Sequence, residues 1–124
     1  MSKIERSKVT ARILIEIGAI NFSLTSPFKL SSGFLSPSYI DCRKIIAYPL
    51  AFKSITDMMI DTIKSEMAPQ TPSYIIGGET AGIPFAAVIA QKMGLPLSYV
   101  RKQPKNYGKN KLIEGEILKG KNSL

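Results

Sequence analysis

A chain of 124 residues, 44% hydrophobic and 21% charged with 8 Pro and 9 Gly, suits one small globular domain and excludes disordered and fibrous classes. Its longest apolar stretch, Ile83 to Ala90, is under half the roughly 20 residues that a membrane-spanning helix requires. The net charge of +8 is concentrated at one end: residues 1–100 hold 10 Lys and Arg against 7 Asp and Glu, residues 101–124 hold 7 against 2.

The first predicted element is an amphipathic helix. Ser2 and Glu5 have capping-box spacing, Val9, Ile13, Ile17 and Ile20 recur at helical intervals, and Gly18 is a suitable stop. No basic, apolar and small-residue cleavage pattern marks a secretory signal there. From Phe22 to Asp41, short apolar pieces broken by Ser-Ser-Gly and Ser-Pro predict two or three short strands. Cys42 is the sole cysteine, so no internal disulfide is possible and a cytoplasmic, soluble protein is expected. Pro49 opens a second helix with Phe52, Ile55, Met59 and Ile63 on its apolar face and Lys53, Asp57, Asp61 and Lys64 on the wet side. Pro69 and Pro72 forbid its continuation.

Ser73 to Ile76 reads as a strand running into a Gly77-Gly78 turn, and a third helix runs from near Pro84 to Gly94. Leu97 to Val100 is the next strand, followed by a polar loop from Lys102 to about Leu112. Helix, strand, glycine turn, helix, strand is the rhythm of parallel α/β construction. Asn122-Ser123-Leu124 looks like a strand just beginning, which leads us to expect a truncated chain.

Three constellations could carry chemistry. The turn around Gly77, Gly78 and Gly82 lies between a strand and a helix, where bare backbone amides and a helix N-terminus suit an anion; a glycine turn made only for packing is the alternative. Its spacing matches neither the dinucleotide fingerprint nor the P-loop. Arg101, Lys102, Lys105 and Tyr107 follow a strand end, where open α/β sheets bind ligands, so their donors suit phosphate; a solvated charge-rich loop is the alternative. Phe28 to Arg43 combines aromatics, hydroxyls, Asp41 and Arg43, compatible with a binding hairpin or a solvated edge. Cys42 there is either a low-pKa thiol or, far more commonly for a lone Cys in a strand, a packing residue. With no His, neither a Ser-His-Asp set nor a Cys/His metal cluster can form.

Taken in order, FKLSSGFLSPSYIDCR (28–43), IIGGETAGIPFA (75–86) and VRKQPKNYGKNKLIEG (100–115) resemble the orotate phosphoribosyltransferases. The resemblance implies an α/β fold of the type I phosphoribosyltransferase kind, a parallel sheet with flanking helices and a small N-terminal hood, incomplete at the C-terminus. It implies one incomplete domain over 1–124, with hood strands at about 20–45 and the first part of the core at about 46–124. The implied reaction transfers a phosphoribosyl group from phosphoribosyl pyrophosphate (PRPP) to orotate, with Mg²⁺, in pyrimidine (UMP) biosynthesis. The products are orotidine 5′-monophosphate and pyrophosphate.

By the same resemblance, Arg101, Lys102, Lys105 and Tyr107 contact the pyrophosphate, with Lys105 catalytic in neutralising the leaving group. Glu79, Thr80, Ala81 and Gly82 form the pyrophosphate loop, and Tyr39 and Ile40 face orotate; no metal ligand falls in this chain. The implied assembly is a homodimer whose basic loop reaches the neighbouring site, with small-molecule partners and neither nucleic acid nor membrane. Ser31 stands where some members have a phosphate-binding Lys. The acidic pair and Thr/Ser-Gly turn that hold the ribose and 5′-phosphate are missing, so the chain alone is expected to be inactive or very weak. The alternatives are a purine-type phosphoribosyltransferase and a non-catalytic basic binding fragment, including one for nucleic acid.

Overall fold

The computed structural model describes residues 1–106, 111–117 and 119–124. They form two compact units, Met1–Ile55 and Thr56–Leu124.

The first unit opens with α1 (Lys3–Glu16), whose start is the expected capping box. Ser2 Oγ accepts the Glu5 N–H at 3.2 Å and Glu5 Oε2 accepts the Ser2 N–H at 2.7 Å, so two amides that the helix cannot use are satisfied. At the other end Gly18 takes φ +63°, which a side chain would resist. The Gly18 and Ala19 amides then donate to the Ile15 and Leu14 carbonyls at 3.0 and 2.8 Å. This turn ends the helix before Ile20, which begins β1 (Ile20–Phe22) and does not extend the helical stripe. The Lys44 ammonium donates to the Gly18 carbonyl at 3.1 Å and secures the turn.

Two short antiparallel pairs follow. β2 (Phe28–Lys29) pairs with β3 (Leu35–Ser36), and β1 pairs with β4 (Ser38–Ile40) in the register Ile20 to Ile40. Cys42 is exposed and opens a 3₁₀ helix, Cys42–Ala47, so it is neither in a strand nor packed. α2 (Pro49–Glu66) contains the division between the units.

In the second unit, β5 (Ile75–Gly78) and β6 (Leu97–Val100) are parallel and linked by α3 (Gly82–Met93). β7 (Ile113–Glu114), which the sequence reading leaves unassigned just past the polar loop, returns antiparallel to β6. The apolar core is Ile60, Ile63, Ile75, Ala86, Ile89 and Ala90. Along α2, Met59 is 40% exposed while Thr56, Met58 and Ile60 are buried, so the buried surface is broader than the expected stripe and differently placed. Thr56 can be buried because its hydroxyl accepts the Lys92 ammonium at 3.1 Å, and Lys92 also pairs with Asp57 at 2.7 Å.

Two boundaries move in ways that matter for the site. Gly77 and Gly78 belong to β5, so the turn is Glu79-Thr80-Ala81. α3 begins at Gly82, two residues before the expected start, and Pro84 fits its first turn because amides there have no helical acceptor. At its end Gly94 has φ +66° and the Leu95 amide donates to the Ala90 carbonyl at 2.9 Å, as the glycine stop predicts. Ser123 forms a parallel bridge to Tyr74, and the Ile76 amide donates to the Leu124 carbonyl at 2.7 Å, so residues 123–124 lie on the other edge of β5.

Candidate phosphate-binding site

Parallel pairing sets the site. Gly78 and Val100 are register partners at the carboxyl ends of β5 and β6, so the segments that follow, from Glu79 and from Arg101, leave the sheet side by side. Loops at the carboxyl ends of parallel strands are where open α/β sheets hold ligands. The Glu79 amide donates to the Val100 carbonyl at 2.8 Å, and the Glu79 carboxylate accepts the Lys102 amide at 2.8 Å. Two segments singled out separately in the sequence are thus joined at their roots. Between them lies a cleft of ≈ 430 Å³ lined by Glu79, Arg101, Lys102, Pro104, Lys105 and Asn106.

The glycines differ in what they do. A Cβ on Gly77 would stand 2.9 Å from the Ala86 Cβ and 3.1 Å from the Ile83 Cα, so this glycine lets α3 lie against β5. For Gly77 the packing alternative holds. Gly78 has open space where its side chain would be, and a Cβ on Gly82 would make only one ordinary contact at 3.9 Å. Those two leave approach to the backbone open. Ala81 at the N-cap of α3 provides no side-chain cap, and the Glu79–Thr80 peptide is cis.

The basic segment is tied at both ends. The Arg101 amide donates to the Leu112 carbonyl at 2.7 Å, and β7 pairs Ile113 with Val100 and Glu114 with Tyr99. Lys105 Nζ lies 2.7 Å from Glu114 Oε1, and Arg101 Nη1 lies 3.8 Å from the same oxygen. Arg101 Nε is buried and lacks a hydrogen-bond partner among the described residues. Such an N–H is costly to leave unmade, so the guanidinium has donor capacity unspent. Hydrogen bonding from Lys105 is the main reason that the Glu114 carboxyl sits below its ordinary pKa; desolvation opposes it, and the charges of Lys105, Arg101 and Lys111 add to it.

Of the sequence-predicted residues, the structure brings Glu79, Arg101, Lys102 and Lys105 to one cleft, with Thr80 and Ala81 in the turn that begins at Glu79 and Gly82 the first residue of α3. Tyr107 lies outside the described residues. Tyr39 and Ile40 are in the first unit. There the Tyr39 ring meets Phe28 with centroids 5.9 Å apart, and its hydroxyl accepts from Arg43 at 3.1 Å. Arg43 also pairs with Asp41 at 2.9 Å, and this hydrogen bond lowers the Asp41 pKa. Ile40 is 51% exposed, and Ser31 is exposed in the turn between β2 and β3. Glu114 was missed. Its only sequence signal is the run Leu112-Ile113-Glu114-Gly115, two apolar residues closing a polar loop, which resembles a strand only when a partner is known.

No family model matches the chain. An orotate phosphoribosyltransferase of Ruegeria sp. (strain TM1040) is 48% identical over 97% of this chain and 53% of its own length. Among solved structures, UMP synthase of Leishmania donovani superposes with TM-score 0.69 at 29% identity, covering 94% of this chain and 24% of that one. Orotate phosphoribosyltransferase from Aeropyrum pernix superposes with TM-score 0.64 at 33% identity, over 76% of this chain and 54% of its own. The chain thus spans about half the length of the curated relatives it matches. Its α/β fold, with helices around a sheet that contains a parallel pair, is the one the resemblance implies.

Proposed function

Because the chain belongs, over the half that it spans, to the orotate phosphoribosyltransferase family, we propose that it carries the pyrophosphate-gripping part of a site that transfers phosphoribosyl from PRPP to orotate. The observation that supports this most is the register of Gly78 with Val100, from which the Glu79 turn and the basic segment leave the sheet together. In this reading the backbone from Glu79 to Gly82 faces the diphosphate, and Arg101, Lys102 and Lys105 supply its counter-charge. The transition state separates an oxocarbenium-like ribose from a highly charged leaving group, and cations already held beside that group lower the barrier. Lys105 is assigned that role, because an ammonium on a flexible stem can follow the departing oxygens.

Tyr39 and Ile40 would face orotate, and Tyr107 would donate a hydrogen bond to the pyrophosphate. Mg²⁺ would enter with PRPP and screen its charge; among the described residues no group of three His, Cys, Asp or Glu is arranged to hold it. A homodimer in which the basic loop also reaches the neighbouring site, and a cytoplasmic location, complete the proposal. Among the described residues no helix is long and apolar enough to cross a membrane.

The test compares the 124-residue chain with the same chain completed by the remaining half of the Ruegeria relative. We expect PRPP-dependent consumption of orotate by the completed protein and very little by the chain alone. Consumption of adenine or hypoxanthine instead of orotate would overturn the substrate assignment.

A further inference from the structure

Glu114 lies against the proposed pyrophosphate grip and has no role in it so far. Its position is closely determined. β7 holds it opposite Tyr99, and the next residue, Gly115, has φ +99°. A Cβ on Gly115 would stand 2.8 Å from Ser98 Oγ and 3.1 Å from the Leu97 carbonyl oxygen. Ser98 Oγ in turn donates to the Glu116 carbonyl at 2.9 Å. The strand that carries Glu114 is therefore seated tightly on β6, and a one-residue slip would put a side-chain Cβ against Ser98 where only glycine fits.

From that fixed place the carboxylate takes two of the cations on which the grip depends, Lys105 at 2.7 Å and Arg101 at 3.8 Å, with its own side chain 26% exposed. A carboxylate oxygen and a phosphate oxygen offer an ammonium or a guanidinium the same kind of acceptor, so the two are alternatives for the same donors. We propose that Glu114 is a positioning residue that holds Lys105 and Arg101 as an internal substitute for pyrophosphate, and that the polyphosphate binds by exchanging with this carboxylate. The inference rests on the pyrophosphate reading of the cleft.

Exchange has two consequences. Binding is weaker than the cations alone would allow, because the ligand must displace a group already in place. The coupling is also reciprocal: whatever draws Lys105 and Arg101 away from Glu114 relaxes the depression of its carboxyl pKa.

The test titrates metal-free inorganic pyrophosphate into the 124-residue chain and its Glu114→Gln variant, and follows the Glu114 carboxyl by carbon NMR against pH. Glu114→Gln keeps the shape of the side chain and is expected to bind pyrophosphate about fivefold more tightly, the scale of a partly exposed ion pair. In the unaltered chain, saturating pyrophosphate moves the Glu114 titration upward. Lys105→Ala does the same without any ligand, which tests the pair independently of the Glu114 substitution. Equal or weaker pyrophosphate binding by Glu114→Gln overturns the exchange, as does a Glu114 titration indifferent to Lys105→Ala. Failure of either protein to bind pyrophosphate would overturn the reading of the cleft, and the exchange with it.

Discussion

Gly77 and Gly78 are neighbours in sequence with opposite tasks. Gly77→Ala would push a methyl group into Ala86 and the α3 backbone, and overpacking of this kind costs about 1–3 kcal/mol. Gly78→Ala meets open space and should leave stability nearly unchanged while crowding the approach to the turn. Urea unfolding of the two variants measures the difference; equal destabilisation would mean that α3 does not pack on β5 as described. From the sequence the two glycines are indistinguishable, because the feature that separates them is a helix brought back across the strand by later residues. The cations were easier to read, since charge and the position after an apolar strand are both local. For Lys105, alanine in a completed protein should lower turnover about a hundredfold or more and leave orotate binding nearly intact. Equal losses in both would reduce Lys105 to a residue that merely positions substrate.

At the scale of elements, local signals succeeded and long-range ones did not. The capping box at Ser2 and the glycine stops at Gly18 and Gly94 are written within a few residues, and all three are found where the sequence puts them. The Glu5 pKa is lowered, first by the Ser2 backbone amide and then by the Ser2 hydroxyl. A depressed carboxylate contributes stability above its unfolded pKa and loses it as pH falls through the folded value. Helicity of α1 should therefore decline as pH drops below 4.5, with about one turn fraying; Glu5→Gln should abolish that pH dependence, and Ser2→Ala, which keeps the backbone amide, should remove only the smaller part of it. Far-UV circular dichroism reads both outcomes.

The buried surface of α2 departs from the expected stripe because periodicity reports apolar character and not which neighbours arrive; a hydroxyl at Thr56 is buried through Lys92, 36 residues later. Ile89→Ala, in the core of the second unit, should cost about 2–4 kcal/mol, whereas Met59→Ala, at 40% exposure, should cost under about 1 kcal/mol. β7 is not legible in the sequence for the related reason that two residues become a strand only through their partner on β6.

For the molecule as a whole, the excess of positive charge resolves into a structural arrangement. Arg101 and Lys105 share Glu114, Lys102 is tied through its backbone to Glu79, and both segments grow from adjacent parallel strand ends. What the sequence could state was the order of three motifs; what it could not state was that the second and third meet through the register of Gly78 and Val100. The central claim is that this cleft grips pyrophosphate. Isothermal titration of inorganic pyrophosphate into the chain and into a Lys102→Ala/Lys105→Ala variant tests it most directly. The account predicts saturable binding by the unaltered chain, weakened about tenfold or more in the variant. Indistinguishable affinities in the two proteins would contradict it.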